Sequence, residues 1–210
     1  MRSRKLILLR DSEESKNRNT RDGVTMTTLY RKLTAVDRRV SRRLRLETQS
    51  GGRWIAAVIF AHSGDTILWT VGTIVVLVSG GAIWRYRAAV ILVGLIVQTV
   101  AVPLLKLTVR RKRPAGTWGG VYRRFDPHSF PSGHAARAGM LAIVTWLTGP
   151  VWLAVLVLAW APVVATARIA TGVHYFSDVI AGLALGITIG VAVVLAEPRL
   201  SELLLQLLSF

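Results

Sequence analysis

The chain has 210 residues, 52% of them hydrophobic, and no cysteine, which allows one domain with a substantial core and excludes disulfides and thiolate chemistry. Its 27 Lys and Arg against 11 Asp and Glu leave a net charge of +16, so an anionic partner is expected: an acidic bilayer surface, a phosphorylated substrate or nucleic acid. Long apolar stretches separated by short basic segments favour the first two and speak against an ordinary soluble domain.

Residues 1–25 are basic and then polar. The apolar run Leu6 to Leu9 is too short for a signal peptide, so the stretch reads as a disordered tail, with ordered chain expected from Met26. In residues 28–46, Leu29, Leu33, Val36, Val40 and Leu44 recur at helical spacing among Arg and Lys. That pattern predicts a basic amphipathic helix on a membrane surface, within a segment 26–53. Residues 54–62 are apolar but too few to span alone. His62-Ser63-Gly64-Asp65 interrupts, with Ser63 or Asp65 available to cap the next helix. Spans are expected at about 66–83, 88–105, 138–149, 151–166 and 178–196, with Trp84-Arg85-Tyr86-Arg87 as an interfacial turn. The remainder, 198–210, reads as an amphipathic tail. The fold class is therefore all-α: a membrane bundle of about five spans.

Spans two and three flank the loop 106–137, and spans four and five flank 167–177. With two spans between them, both loops emerge on one face. They carry three blocks: Lys106 with Arg113-Pro114, then Pro131-Ser132-Gly133-His134, then Arg168, His174 and Asp178. Taken singly, each block has an ordinary reading. Asp178 can cap a helix, Pro131-Ser132-Gly133 can start one, and basic residues flank spans by the positive-inside rule, which suits Arg110, Arg111 and Lys112. Taken together they suggest chemistry. Arg and Lys suit phosphate oxygens, free N–H groups at a helix start bind anions, and Asp178, four residues after His174, can orient one ring nitrogen while the other attacks.

The pattern Lys-x6-Arg-Pro, Pro-Ser-Gly-His and Arg-x5-His-x3-Asp resembles that of the type 2 phosphatidic acid phosphatase (PAP2) superfamily, over about residues 106–178. The resemblance implies a helical catalytic domain over 54–197 and a metal-independent phosphatase acting on a lipid phosphomonoester or diphosphate, of the phosphatidic acid, phosphatidylglycerophosphate or polyprenyl type. It further implies His174 as nucleophile forming a phosphohistidine, His134 as general acid and Asp178 as the group orienting His174. Lys106, Arg113, Ser132, Gly133 and Arg168 would bind phosphate, with no cofactor and no metal. Two positions depart from the pattern: Ala167 stands where the family has serine, and Arg137 where a small or hydroxyl residue is expected. His62, Asp65, Asp126 and His128 fit no metal spacing, and His128 and Asp126 are placed at the entrance.

The partners expected are a lipid phosphate and a bilayer containing anionic lipid, not nucleic acid. The setting is the cell membrane, and the count of basic residues favours a cytoplasmic site. The competing functions are a lipid phosphotransferase with the same site and a non-enzymatic protein that binds acidic lipid through its basic helix.

Overall fold

The structure is a computed structural model that describes residues 28, 31–115, 120, 124 and 126–208, with side chains through 198. The readings of residues 1–25 fall outside the described residues. The described residues up to Val40 belong to one unit and those from Ser41 onward to another. Among the described residues there are seven principal helices: α1 (31–44), α2 (Gly51–Ser63), α3 (Thr66–Ser79), α4 (Ala82–Val109), α5 (Gly133–Thr148), α6 (Val151–Ala170) and α7 (Phe176–Leu208). The amphipathic helix is present, with Leu33 and Val36 exposed. It ends well before residue 53, and α2 starts anew at Gly51.

Among the described residues, three helices are long and apolar enough to cross a membrane: α4, α6 and the part of α7 up to Pro198. The pair α2 and α3, bent by 54°, counts together as a fourth. The expected helical membrane bundle is present, and α5 makes a further traverse of it that is too short to qualify on length and hydropathy. Helix α3 stops at Ser79 because Gly80 and Gly81 interrupt it. Helix α5 has 16 residues, short of the ~20 a lipid-facing span needs. Its surroundings explain this: Ala135 to Ala142, Val144 and Thr145 are all buried, so α5 is lined by protein rather than lipid and can carry Arg137.

Other boundaries shift for local reasons. Trp84 to Arg87 lie in the opening turns of α4 rather than in a turn, with the Arg87 guanidinium 4.9 Å above the Trp84 ring and bonded to the Thr148 carbonyl. Helix α6 runs on through Arg168, which shrinks the expected 167–177 loop to 171–175. Helix α7 continues past Pro198, so no break separates the C-terminal tail from the last span.

The core forms where α5 meets its neighbours, around Met140, Leu141, Val144, Val157, Val164, Ile189 and Val193. Outward-facing Val75, Ile96, Val100, Leu104, Leu156 and Leu195 stay exposed, as apolar groups do when lipid is their solvent. Helix α7 approaches α5 through Gly182, Gly186 and Gly190, spaced four apart on one face. A Cβ at Gly186 would overlap the Ala136 carbonyl, and one at Gly190 would come within 3.1 Å of the Met140 carbonyl. Gly186→Leu is therefore expected to force the helices apart at a cost of at least about 1–3 kcal/mol. A thermal melt in detergent should show a clearly lowered midpoint, and an unchanged one would contradict this packing.

The connections bring the chain back to one end of the bundle repeatedly. Helix α3 leaves that end and α4 returns to it at Lys106. Helix α5 leaves at His134, α6 returns at Arg168, and α7 leaves at Asp178. The Ser132 N–H donates to the Asp178 carbonyl at 2.9 Å, tying the starts of α5 and α7 together. Leu46 N–H bonds the Ala170 carbonyl, and the Ser41 hydroxyl accepts from Phe176 N–H, so residues 41–46 share this end.

Candidate active site

At this end lies a cavity of about 190 Å³, lined among others by Lys106, Arg113, Asp126, His134, Arg168 and His174. Lys106 projects from the last turn of α4. Beyond it Arg110 closes the helix with a left-handed backbone, φ 50°, its N–H returned to the Lys106 carbonyl. That reversal sends the chain back across the site. Arg113 then points inward, where its Nη1 donates to the Val173 carbonyl at 2.9 Å and lies 3.1 Å from His174 Nε2.

A guanidinium can only donate, so His174 Nε2 holds a lone pair and the ring proton sits on Nδ1. Asp178 Oδ2 stands 3.6 Å from Nδ1. Asp178 is itself held firmly. Arg111 donates to Oδ1 at 2.7 Å, and the Tyr175 N–H donates to Oδ2 at 2.8 Å. Arg111 also lies 4.0 Å over the Tyr175 ring. Its role as span-flanking charge is thus corrected: Arg111 is a structural partner of Asp178. His174 is 1% exposed, and burial, followed by the nearby cations Arg168, Arg113 and Lys106, pushes its pKa well below the usual imidazole range. Loss of hydration disfavours the charged ring, and three cations disfavour it further.

Arg168 is fully buried, with Nη1 donating to the Ala61 carbonyl at 3.2 Å. Ser132 is also buried, and its hydroxyl caps α5 by accepting from Ala135 N–H. The helix-start reading of Pro-Ser-Gly thus holds together with its place beside the cavity. Ala167 lines a separate groove with Leu46 and Phe60. Arg137 bonds the Gly64 carbonyl and the Thr66 hydroxyl and pins the joint between α2 and α3.

Two acidic residues assigned no part in the chemistry from sequence stand inside the site, Asp126 deeper than the entrance where it was expected. Asp126 bonds Lys106 and accepts from Arg113 Nη2 at 2.8 Å, so its carboxylate occupies the place where both cations converge. Asp65 Oδ1 meets His134 Nε2 at 2.6 Å. The signal for both was their setting: an acid within an otherwise apolar stretch, and an acid within a strongly basic loop. His128 stands slightly apart, in an isolated bridge with Lys112. No group of three His, Asp or Glu suited to a metal ion occurs among the described residues.

The family profile of the PAP2 superfamily matches residues 82–202 of this chain, more than half of it. The chain belongs to the PAP2 superfamily. All three sequence blocks fall within the match, and the PAP2 assignment read from them stands. The chain is 42% identical over 59 residues to an undecaprenyl-diphosphatase of Sulfolobus acidocaldarius. That alignment covers 28% of this chain and 29% of the relative's length. Two solved structures are similar in fold. Aquifex aeolicus LpxE superposes with a TM-score of 0.59 at 23% identity, covering 74% of this chain and 93% of that one. A transmembrane PAP2 type phosphatidylglycerolphosphate phosphatase from Bacillus subtilis superposes with 0.65 at 20% identity, covering 80% and 87%. At these identities the likeness establishes a shared helical membrane fold.

Proposed function

We propose that this PAP2 protein hydrolyses a lipid phosphate, a phosphomonoester or a diphosphate, through a phosphohistidine on His174. The observation that carries the reading is the convergence of Lys106, Arg113, Arg168, His134 and His174 on one cavity at one end of a membrane bundle. The names of the relatives, an undecaprenyl-diphosphatase and a phosphatidylglycerolphosphate phosphatase, agree with a lipid-borne phosphate.

A phosphate entering the cavity takes the positive groups that Asp126 holds in the empty site. Lys106, Arg113 and Arg168 spread over its oxygens, with the Gly133 N–H at the start of α5. His174 Nε2, released from Arg113, forms a bond to phosphorus as the bond to the leaving oxygen breaks. His134 gives that oxygen a proton. Water then attacks the phosphohistidine, passing its proton to His134, and phosphate leaves with His174 restored. Transition-state charge is dispersed by fixed cations, the chief requirement of phosphoryl transfer. Asp178, held by Arg111 and Tyr175 N–H, faces the protonated nitrogen of His174 and stabilises it as the ring gains a bond at Nε2.

The decisive experiment is phosphate release from a panel of purified lipid phosphates in detergent, comparing the wild type with His174 and His134 variants. An acceptor alcohol added to the same assay diverts product if the chain is a phosphotransferase. Residues 41–46 lie at the site end and carry Arg42, Arg43 and Arg45, which supports a cytoplasmic site by the positive-inside rule. Reporter fusions at residue 120 should report the cytoplasm; an exported reporter reverses the orientation.

A further inference from the structure

We propose that Asp65 is a positioning residue for His134, forming a carboxylate–histidine pair that fixes the ring and sustains its protonated form while it serves the leaving oxygen. The proposal rests on the phosphatase reading for its chemistry, and on the following geometry for its residue. Asp65 occupies the N-cap position of α3, yet its side chain makes no capping hydrogen bond. The carboxylate turns instead to two histidines: Oδ1 meets His134 Nε2 at 2.6 Å, and Oδ2 meets His62 Nδ1 at 3.0 Å. A residue type favoured at N-caps for its side-chain bond has given up that bond for a contact across 69 positions.

The joint that carries Asp65 is fixed from several sides. The Trp69 indole N–H donates to the Ser63 carbonyl and the Trp160 indole N–H to the Ser63 hydroxyl, both within 2.9 Å. Arg137 holds Gly64 and Thr66 on either side of Asp65. Gly64 lies so close to His134 that a Cβ there would stand 3.2 Å from the ring's Cδ2 and 3.2 Å from Val164. The Cδ2–Nε2 edge of His134 thus lies against Gly64 and Asp65, and its Nδ1–Cε1 edge is turned away from the joint. Such a held carboxylate fixes both tautomer and direction of an imidazole.

In the first half-reaction the His134 imidazolium gives its Nδ1 proton to the leaving oxygen and keeps the Nε2 proton on Asp65. In the second, neutral Nδ1 takes a proton from the attacking water, and the imidazolium is restored. Asp65 stays ionised throughout, so protons balance. The charges facing His134 are Asp65 and, through it, His62 from the α2–α3 joint, Arg137 on its own helix, Arg168 on α6, and Lys106, Arg113, His174 and the Asp126 carboxylate, itself bound to Lys106 and Arg113, across the cavity. Against that many cations, Asp65 is the acid bonded to the ring.

The test compares the full-length wild type, Asp65→Asn and Asp65→Glu in detergent micelles on two substrates. Dioleoyl phosphatidate has a poor leaving oxygen that needs a proton, whereas p-nitrophenyl phosphate has a good one. With Asn, kcat/KM on phosphatidate should fall about 10–100-fold, and on p-nitrophenyl phosphate by less than about 3-fold. Glu should restore part of the loss. An equal loss on both substrates, or none on either, overturns the proposal. A second arm reads no turnover: the ¹⁵N-imidazole signals of His134 should show the proton on Nε2, with a titration midpoint that falls in Asp65→Asn. An unmoved midpoint overturns the pairing. If the wild type releases phosphate from neither of these nor from any lipid of the panel, the phosphatase reading falls, and the spectra alone still decide whether Asp65 governs His134.

Discussion

His174→Ala is expected to abolish phosphate release, with a fall on the order of 10⁴-fold or more, the scale on which a covalent nucleophile is missed. The magnitude follows from the absence of a substitute. The other histidine of the cavity, His134, has its Nε2 engaged by Asp65. His174 is neutral in the empty site, because burial and the cations around it hold its pKa down, so the lone pair on Nε2 is ready without a separate base. Asp178 faces the opposite nitrogen at 3.6 Å and gains a closer, charge-assisted contact once phosphorylation makes the ring cationic. Thermal melts should show the alanine variant folded, since the core cluster around Met140, Leu141, Val144 and Val164 does not include residue 174. Residual turnover within tenfold of wild type would refute His174 as the attacking group.

Arg113→Lys is expected to lower kcat/KM by about 10²–10³-fold despite keeping the charge. Arg113 uses its whole fork. Nε donates to the Asp126 carbonyl, Nη2 to the Asp126 carboxylate, and Nη1 to the Val173 carbonyl beside His174. One guanidinium therefore sets the distance between the loop after α4 and the loop before α7. A lysine supplies one point of charge and can satisfy only part of this set. The loss should appear with lipid and with small phosphate esters alike, because the defect is at phosphorus rather than at the tail. Rates within threefold of wild type would show that charge alone suffices.

Much of the site was legible because its chemistry is written in fixed spacings. Lys106, Arg113, His134, Arg168 and His174 were each readable, and the alternation of spans alone puts them on one face. Asp65 and Asp126 were not readable in the same way. Their partners lie 69 and 20 residues away, and neither belongs to a periodic pattern. Asp65 also looked like a helix cap, and it does stand at the cap position; only its side chain departs. Helix α5 departs from the pattern of an apolar span for a related reason. Hydropathy identifies segments that face lipid, whereas α5 faces other helices, so its length and its Arg137 follow rules of protein packing. Arg111 was misread because positive charge beside a span has a general explanation that conceals a specific one.

The carboxylate of Asp126 on Lys106 and Arg113 has a consequence for how tightly the cavity grips anything. Cations held together in a partly dry site repel one another and would spread or recruit an ion from solution. With a tethered anion in their midst they keep their arrangement between turnovers. Any phosphate, whether arriving on a lipid or leaving as the free ion, competes with a group already attached to the protein. The affinity for phosphate is thereby held below what three converging cations would give an open site, and a departing ion is replaced by one that cannot diffuse away.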